Sequence, residues 1–207
     1  MILALSACSP PAPSTDGGAP ASAPPTATTP TPTPSVTPDA VAIPEVPRVE
    51  ADASNQAPVV VAPTSVSVEA LDVAVTVRPE GLADDGSMAL PEDPSVASWY
   101  RFGSGPESAA GATVIAAHVD SIEYAIGPFS RLVDAQPGTE IVVGTEDGSE
   151  HRYRVESVDV ADKTGVPWDT VFDRTGDPRL VLITCGGEFD YETGHYVSNV
   201  IVTAVPL

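Results

Sequence analysis

Basic residues are scarce in this chain. Nine Lys and Arg stand against 29 Asp and Glu in 207 residues, a formal net charge of −20. A surface that grips phosphate needs clustered positive charge, and only Arg152 and Arg154 lie close together. Nucleic acid is therefore excluded as a partner, and the acidity points to solubility and a salty or cell-surface setting. No stretch approaches the run of about 20 apolar residues that a transmembrane helix needs. Acidic pairs such as Asp84-Asp85 and Glu146-Asp147 lack the spacing of a calcium loop, so no metal is predicted, and no other cofactor. Cysteine is down to two residues, Cys8 and Cys185.

Proline is unevenly spread, with 14 of its 23 residues in the first 63. Residues 9–63 are mainly Pro, Ala, Thr and Ser, with almost no large apolar side chains. Such a tract buries too little to offset chain entropy, so an extended, partly polyproline-like stalk is expected. Before it, residues 1–8 are apolar and then small. The segment Leu5-Ser6-Ala7-Cys8 resembles the lipobox of bacterial lipoproteins, in which the signal is cut before a cysteine that is then lipidated. The basic start of a signal peptide is missing, so the true start is expected further upstream. Attachment to the membrane would then rest on lipid at Cys8, and the stalk would hold the folded part away from it.

Residues 64–207 read as one all-β domain. Ser65 to Val77 alternates with period two, the pattern of half-buried strands, and Ala112 to Asp120 is nearly all apolar, the pattern of a strand buried on both faces. Glu140–Gly144 and His151–Val158 flank the turn Glu146-Asp147-Gly148-Ser149, a hairpin signal. The last strands are Leu180–Cys185 and Val197–Val205, with helical turns at Phe129–Val133 and Asp169–Phe172. About eight strands and no long helix result, and closure into a barrel would remove the exposed edges.

Val181-Leu182-Ile183-Thr184-Cys185-Gly186-Gly187 runs β-favouring residues into a thiol and then two glycines. A buried structural cysteine and a reactive one both fit that segment. If Cys8 carries lipid, Cys185 has no disulfide partner in an oxidising setting, which favours a working thiol. A cysteine nucleophile needs an imidazole partner. Of the three histidines, His151 sits in an exposed-looking strand, His195 in a polar loop, and His118 at the close of a buried strand, which favours His118.

Ala117-His118-Val119-Asp120-Ser121 and Leu182-Ile183-Thr184-Cys185-Gly186-Gly187, about 65 residues apart, resemble the sortases of Gram-positive bacteria. Leu90–Pro94, Trp99–Arg101, Gly127–Phe129 and Cys185–Asp190 resemble the class E and F actinobacterial branch in particular, and the similarity runs from about Glu69 to Ala204. The resemblance implies a closed eight-stranded β-barrel and a cysteine transpeptidase at the outer face of the cell membrane. Its substrates would be a Leu-Pro-x-Thr-Gly-like sorting signal of a secreted surface protein and an amine of a cell-wall precursor. Cys185 would be the nucleophile and His118 the general acid and base. Thr184 and Trp168 would help bind substrate, in the latter case from the loop Lys163–Trp168 that shapes the peptide groove.

The family's arginine, about a dozen residues after the cysteine, is absent from Gly194–Ile201. A donor aimed at the oxyanion is worth roughly 2.7–4 kcal/mol, so a substitute is needed. Arg131 is the first candidate and Arg101 the second, with Asn199 or backbone amides near Cys185 as further donors. Asp120, two residues after His118, would orient the ring or simply be solvated. Two alternatives use the same residues: a barrel that binds peptide or envelope polymer without turnover, and a peptidase with water as acceptor. For the anchor, Cys8→Ser is expected to abolish detergent partitioning of the full-length protein; unchanged partitioning would refute lipidation.

Overall fold

The computed structural model describes residues 60–207. Cys8 and nearly all of the expected stalk lie outside the described residues, and Pro63, its last residue, is already the first of a strand. Ten strands run in chain order: β1 Pro63–Val68, β2 Val73–Glu80, β3 Val96–Tyr100, β4 Ala112–Ala116, β5 Asp120–Ser121, β6 Ala125–Ile126, β7 Glu140–Thr145, β8 Glu150–Asp162, β9 Arg179–Asp190 and β10 His195–Pro206. One short helix, α1, spans Trp168–Val171, and tight 3-10 turns occupy Glu69–Leu71 and Pro128–Asp134. No helix among the described residues is long and apolar enough to cross a membrane.

Eight strands close into a barrel in the order β1-β2-β3-β4-β9-β10-β8-β7, as expected. Closure pairs β7 with β1 and leaves no free edge. Most pairs are antiparallel, but β2 with β3 and β4 with β9 run parallel. The pair β5–β6 forms a separate two-stranded ribbon.

The two-residue period of a strand sends alternate side chains to opposite faces. Inward-facing residues from all eight barrel strands, among them Val66, Val75, Trp99, Ile115, Val143, Val155, Leu182 and Val202, make one buried core. Phe129 and Leu132 of the 3-10 turn add to it, both fully buried. A second apolar cluster lies on the outer face. It joins Ala112, Val114 and Ala116 of β4, Val181 and Ile183 of β9 and Ile201 of β10 to Val166 and Val171 from the α1 segment. Strand β4 is thus buried on both faces, which is why its sequence is continuously apolar rather than alternating.

The structure departs from the sequence expectation around the site. Strand β4 stops at Ala116, so His118 lies in the short link before β5. The isolated pairing of β5 with β6 is too short, at two residues each, to leave a periodic signal. Cys185 is not at a strand end, because β9 continues to Asp190 and β10 starts at His195. The glycines permit that continuation. Tyr196 pairs with Phe189 and Ser198 with Gly186, so β9 carries one residue more than β10 across this interval. That is a β-bulge, and Gly187 sits in it with φ of 75°. A side chain is strained in that left-handed conformation, and a Cβ at Gly187 would also lie 2.9 Å from Ser198 Oγ. At Gly186 a Cβ would come within 2.6 Å of Val200 Cγ2.

Urea unfolding is expected to show a loss of about 2–5 kcal/mol for Leu182→Ala and about 1–2 kcal/mol for Gly187→Ala. Wild-type stability in Leu182→Ala would contradict the packed barrel interior.

Candidate active site

The parallel pair β4–β9 sets the site. Its register places Ala112 opposite Arg179 and Ala116 opposite Ile183. The pairing extends one residue beyond β4, where the Ala117 N–H donates to the Ile183 carbonyl at 3.1 Å. Ala116 and Ile183 both belong to the outer cluster. The next side chains on that face are His118 and Cys185, by the same two-residue period. Both border a groove of about 670 Å³ on the outside of the barrel.

The floor of the groove includes Ala116, Ile183 and Asn199. Asn199 is the register partner of Cys185 on β10 and is buried. One wall is the loop before β3, through Met88 and Leu90, and another is α1 with the following residue, through Trp168 and Phe172. Trp168 and Phe172 pack with ring centroids 6.1 Å apart, and Tyr100 meets Phe172 edge-on at 5.1 Å. The β9–β10 hairpin contributes Phe189, His195 and Tyr196, and the end of β8 leads into Lys163.

Charge around the thiol is mixed. Burial pushes the Cys185 thiol up from its ordinary value, Lys163 pulls it back down, and Asp120 pushes it up again. The Tyr196 hydroxyl donates to Asp120 Oδ2 at 2.5 Å, tying β10 to β5 across the groove. That bond to a carboxylate pushes the Tyr196 hydroxyl up to about 12, since it is made by the protonated form. Among the described residues no hydrogen bond joins His118 to Asp120, whose Oδ2 accepts from Tyr196.

The other sequence candidates fall in different places. Trp168 borders the groove, half exposed. Thr184 also borders it, but alternation turns its side chain from the face that carries Cys185, and its hydroxyl is buried without a partner. Arg131 is not brought to the groove. Asp72 ends the Glu69–Leu71 turn in a left-handed conformation, with φ of 51°, and offers its main-chain carbonyl and its carboxylate to the guanidinium. The ion pair to Asp72 Oδ2 is 3.1 Å long. Arg101 lies over the Phe102 ring, 4.9 Å from its centroid, and is likewise not part of the groove wall. Of the side chains proposed as substitutes for the arginine, only Asn199 is in the groove.

The sequence puts His195 in a polar loop, yet it opens β10 and borders the groove because the hairpin folds back beside Cys185. Lys163 and Phe189 lie in segments the resemblance singled out, Lys163–Trp168 and Cys185–Asp190, but their places beside Cys185, like that of Tyr196, depend on the β9 bulge and the β8–β10 pairing. Among the described residues no three His, Cys, Asp or Glu side chains gather as a metal site.

Residues 66–207 match the family model of the sortase domain. Among solved structures, sortase A from Corynebacterium diphtheriae aligns at 17% identity with a TM-score of 0.50, over 71% of this chain and 60% of that chain. Sortase A from Listeria monocytogenes aligns at 20% identity with a TM-score of 0.51, over 71% of this chain and 87% of that one. Sortase C-1 from Actinomyces oris aligns at 16% identity with a TM-score of 0.53, over 69% and 70%. These identities carry a likeness of fold. No curated protein matches in sequence.

Alkylation of Cys185 by iodoacetamide, followed against pH in the Cys8→Ser chain, is expected to have a midpoint above the usual thiol value of about 8.5. The thiolate, and with it the rate, therefore grows as pH rises through that midpoint. Asp120→Asn removes the charge that opposes ionisation, so its midpoint should fall, whereas Tyr196→Phe keeps the carboxylate and should not lower it. An unmoved midpoint in Asp120→Asn would remove Asp120 from the electrostatics of the thiol.

Proposed function

The chain belongs to the sortase family, and from that premise we propose that it is a cysteine transpeptidase acting on a Leu-Pro-x-Thr-Gly-like sorting signal. The observation that supports this reading is that Cys185 of β9 and His118 of the β4 extension border one groove of about 670 Å³ on the outside of the barrel.

The thiolate of Cys185 attacks the carbonyl carbon of the Thr-Gly bond and forms a C–S bond. The carbonyl electron pair moves to oxygen. As the adduct collapses, the C–N bond breaks and the protonated imidazole of His118 gives its proton to the departing amine. An acyl-thioester on Cys185 remains. An amine of a cell-wall precursor then attacks the thioester, His118 takes its proton, a new C–N bond forms and the C–S bond breaks. The thiolate and the imidazolium are restored, so atoms and charge balance over the cycle. The apolar walls formed by Leu90, Trp168 and Phe172 suit the leucine and proline of such a signal.

Leu90–Pro94, Trp99–Arg101, Gly127–Phe129 and Cys185–Asp190 support the class E/F actinobacterial type. On this reading residues 64–207 form the catalytic domain, residues 9–63 the stalk and Cys8 the lipid anchor at the outer membrane face.

The test uses the full-length protein in detergent with a quenched Leu-Pro-x-Thr-Gly peptide and an amine acceptor. Ligated product is expected from wild type, with loss of at least about 10³-fold for Cys185→Ala and for His118→Ala. Cleavage that persists in Cys185→Ala would remove Cys185 as nucleophile. Hydrolysed peptide without ligated product would make the protein a peptidase.

A further inference from the structure

Negative charge arises at Cys185 twice in the proposed reaction, first on the sulfur and then on the oxygen of the acyl adduct. The buried position of the thiol opposes ionisation, so the groove needs a positive charge beside it. The titratable side chains that border the groove with Cys185 are His118 and Asp120 from the β4–β5 segment, Lys163 after β8, and His195 and Tyr196 from β10. Asp120 accepts a hydrogen bond from the Tyr196 hydroxyl. The imidazole of His118 is committed to moving protons. Among the described residues no arginine borders the groove. Lys163, the single lysine of the chain, brings the ammonium.

Its placement follows from register. Ala161 lies opposite Asn199 on β10, and Asn199 lies opposite Cys185 on β9. Ala161 packs against the outer cluster, so these three positions share the outer face. Lys163 is two residues beyond Ala161, in the turn that leaves β8, and borders the groove on that face. Its N–H donates to the Val197 carbonyl at 3.1 Å, which prolongs the β8–β10 ladder and holds the residue in place. Two strand steps separate β8 from β9, roughly 10 Å, and Lys163 and Cys185 border the same groove across that gap. The adjacent Asp162 does not claim the ammonium. Its carboxylate accepts from Ser198 Oγ at 3.2 Å, and Lys163 forms no ion pair among the described residues. The charge of Lys163 also acts on the Cys185 thiol, drawing it down against burial.

We propose that Lys163 supplies the positive charge of this site, stabilising the Cys185 thiolate and then the oxyanion of the acyl adduct. The thiolate half stands on the groove alone, while the oxyanion half rests on the acyl-transfer reading above.

The experiment compares Lys163, Lys163→Met and Lys163→Arg in the full-length Cys8→Ser chain. Iodoacetamide alkylation is followed against pH, peptide turnover is measured beside it, and thermal melts confirm folding. In Lys163→Met the alkylation midpoint should move up, with about a tenfold slower reaction near neutral pH for each pH unit of displacement. Turnover should drop by about 10²-fold or more, chiefly in kcat. Lys163→Arg should restore both, which a merely structural lysine would not require. A Lys163→Met chain that alkylates along the wild-type profile overturns the proposal. A wild-type chain whose alkylation depends on Lys163 but which turns over no sorting peptide supports the thiolate half and sinks the acyl-transfer reading instead.

Discussion

The parallel pairing of β4 with β9 is the contact on which the site depends. It sets Ala116 beside Ile183, and the pleat then delivers His118 and Cys185 to the same face one step further on. A slip of one residue in either strand would turn one of the two side chains into the barrel interior. The register is held from both sides. Ile115, Ala117, Leu180 and Leu182 are locked in the interior, and Ala112, Val114, Val181 and Ile183 in the outer cluster. Burial on both faces leaves these strands little freedom to shift, which holds the positions of His118 and Cys185 beside the groove.

The groove is a product of the outer cluster rather than of the barrel lumen, which side chains fill. The α1 segment packs Val166 and Val171 onto β4 and β9. In doing so it raises an aromatic wall, Trp168 and Phe172, beside the thiol. The β9 bulge raises the opposite wall. By adding one residue at Gly187 it increases the local twist of the hairpin, and Phe189, His195 and Tyr196 come to border the groove.

The same enclosure makes the thiol reluctant to ionise, because burial penalises the charged form. In a chain of formal charge −20 the long-range field adds to that penalty. Lys163 borders the same groove, and the carboxylates at Asp120 and Asp162 are each engaged by a hydroxyl. Asp120 is bonded to Tyr196, and Asp162 to Ser198. Arg131, by contrast, is held at the far turn by Asp72.

Local pattern determined much of this protein. Alternation in β1 and β2, the turn between β7 and β8, and the apolar run of β4 were legible because period and turn chemistry act between near neighbours. Cys185 and His118 were legible because each sits in a short, distinctive segment, and resemblance named the fold around them. The short β5–β6 ribbon, the continuation of β9 past its glycines and the places of Asn199, His195 and Lys163 were decided by tertiary pairing. Those residues reach Cys185 through contacts between strands far apart in the chain, and no local period encodes which residue of β8 stands level with which residue of β10. Arg131 shows the converse: a suitable side chain at a suitable place in the sequence was taken by a partner that only the folded turn at Asp72 supplies.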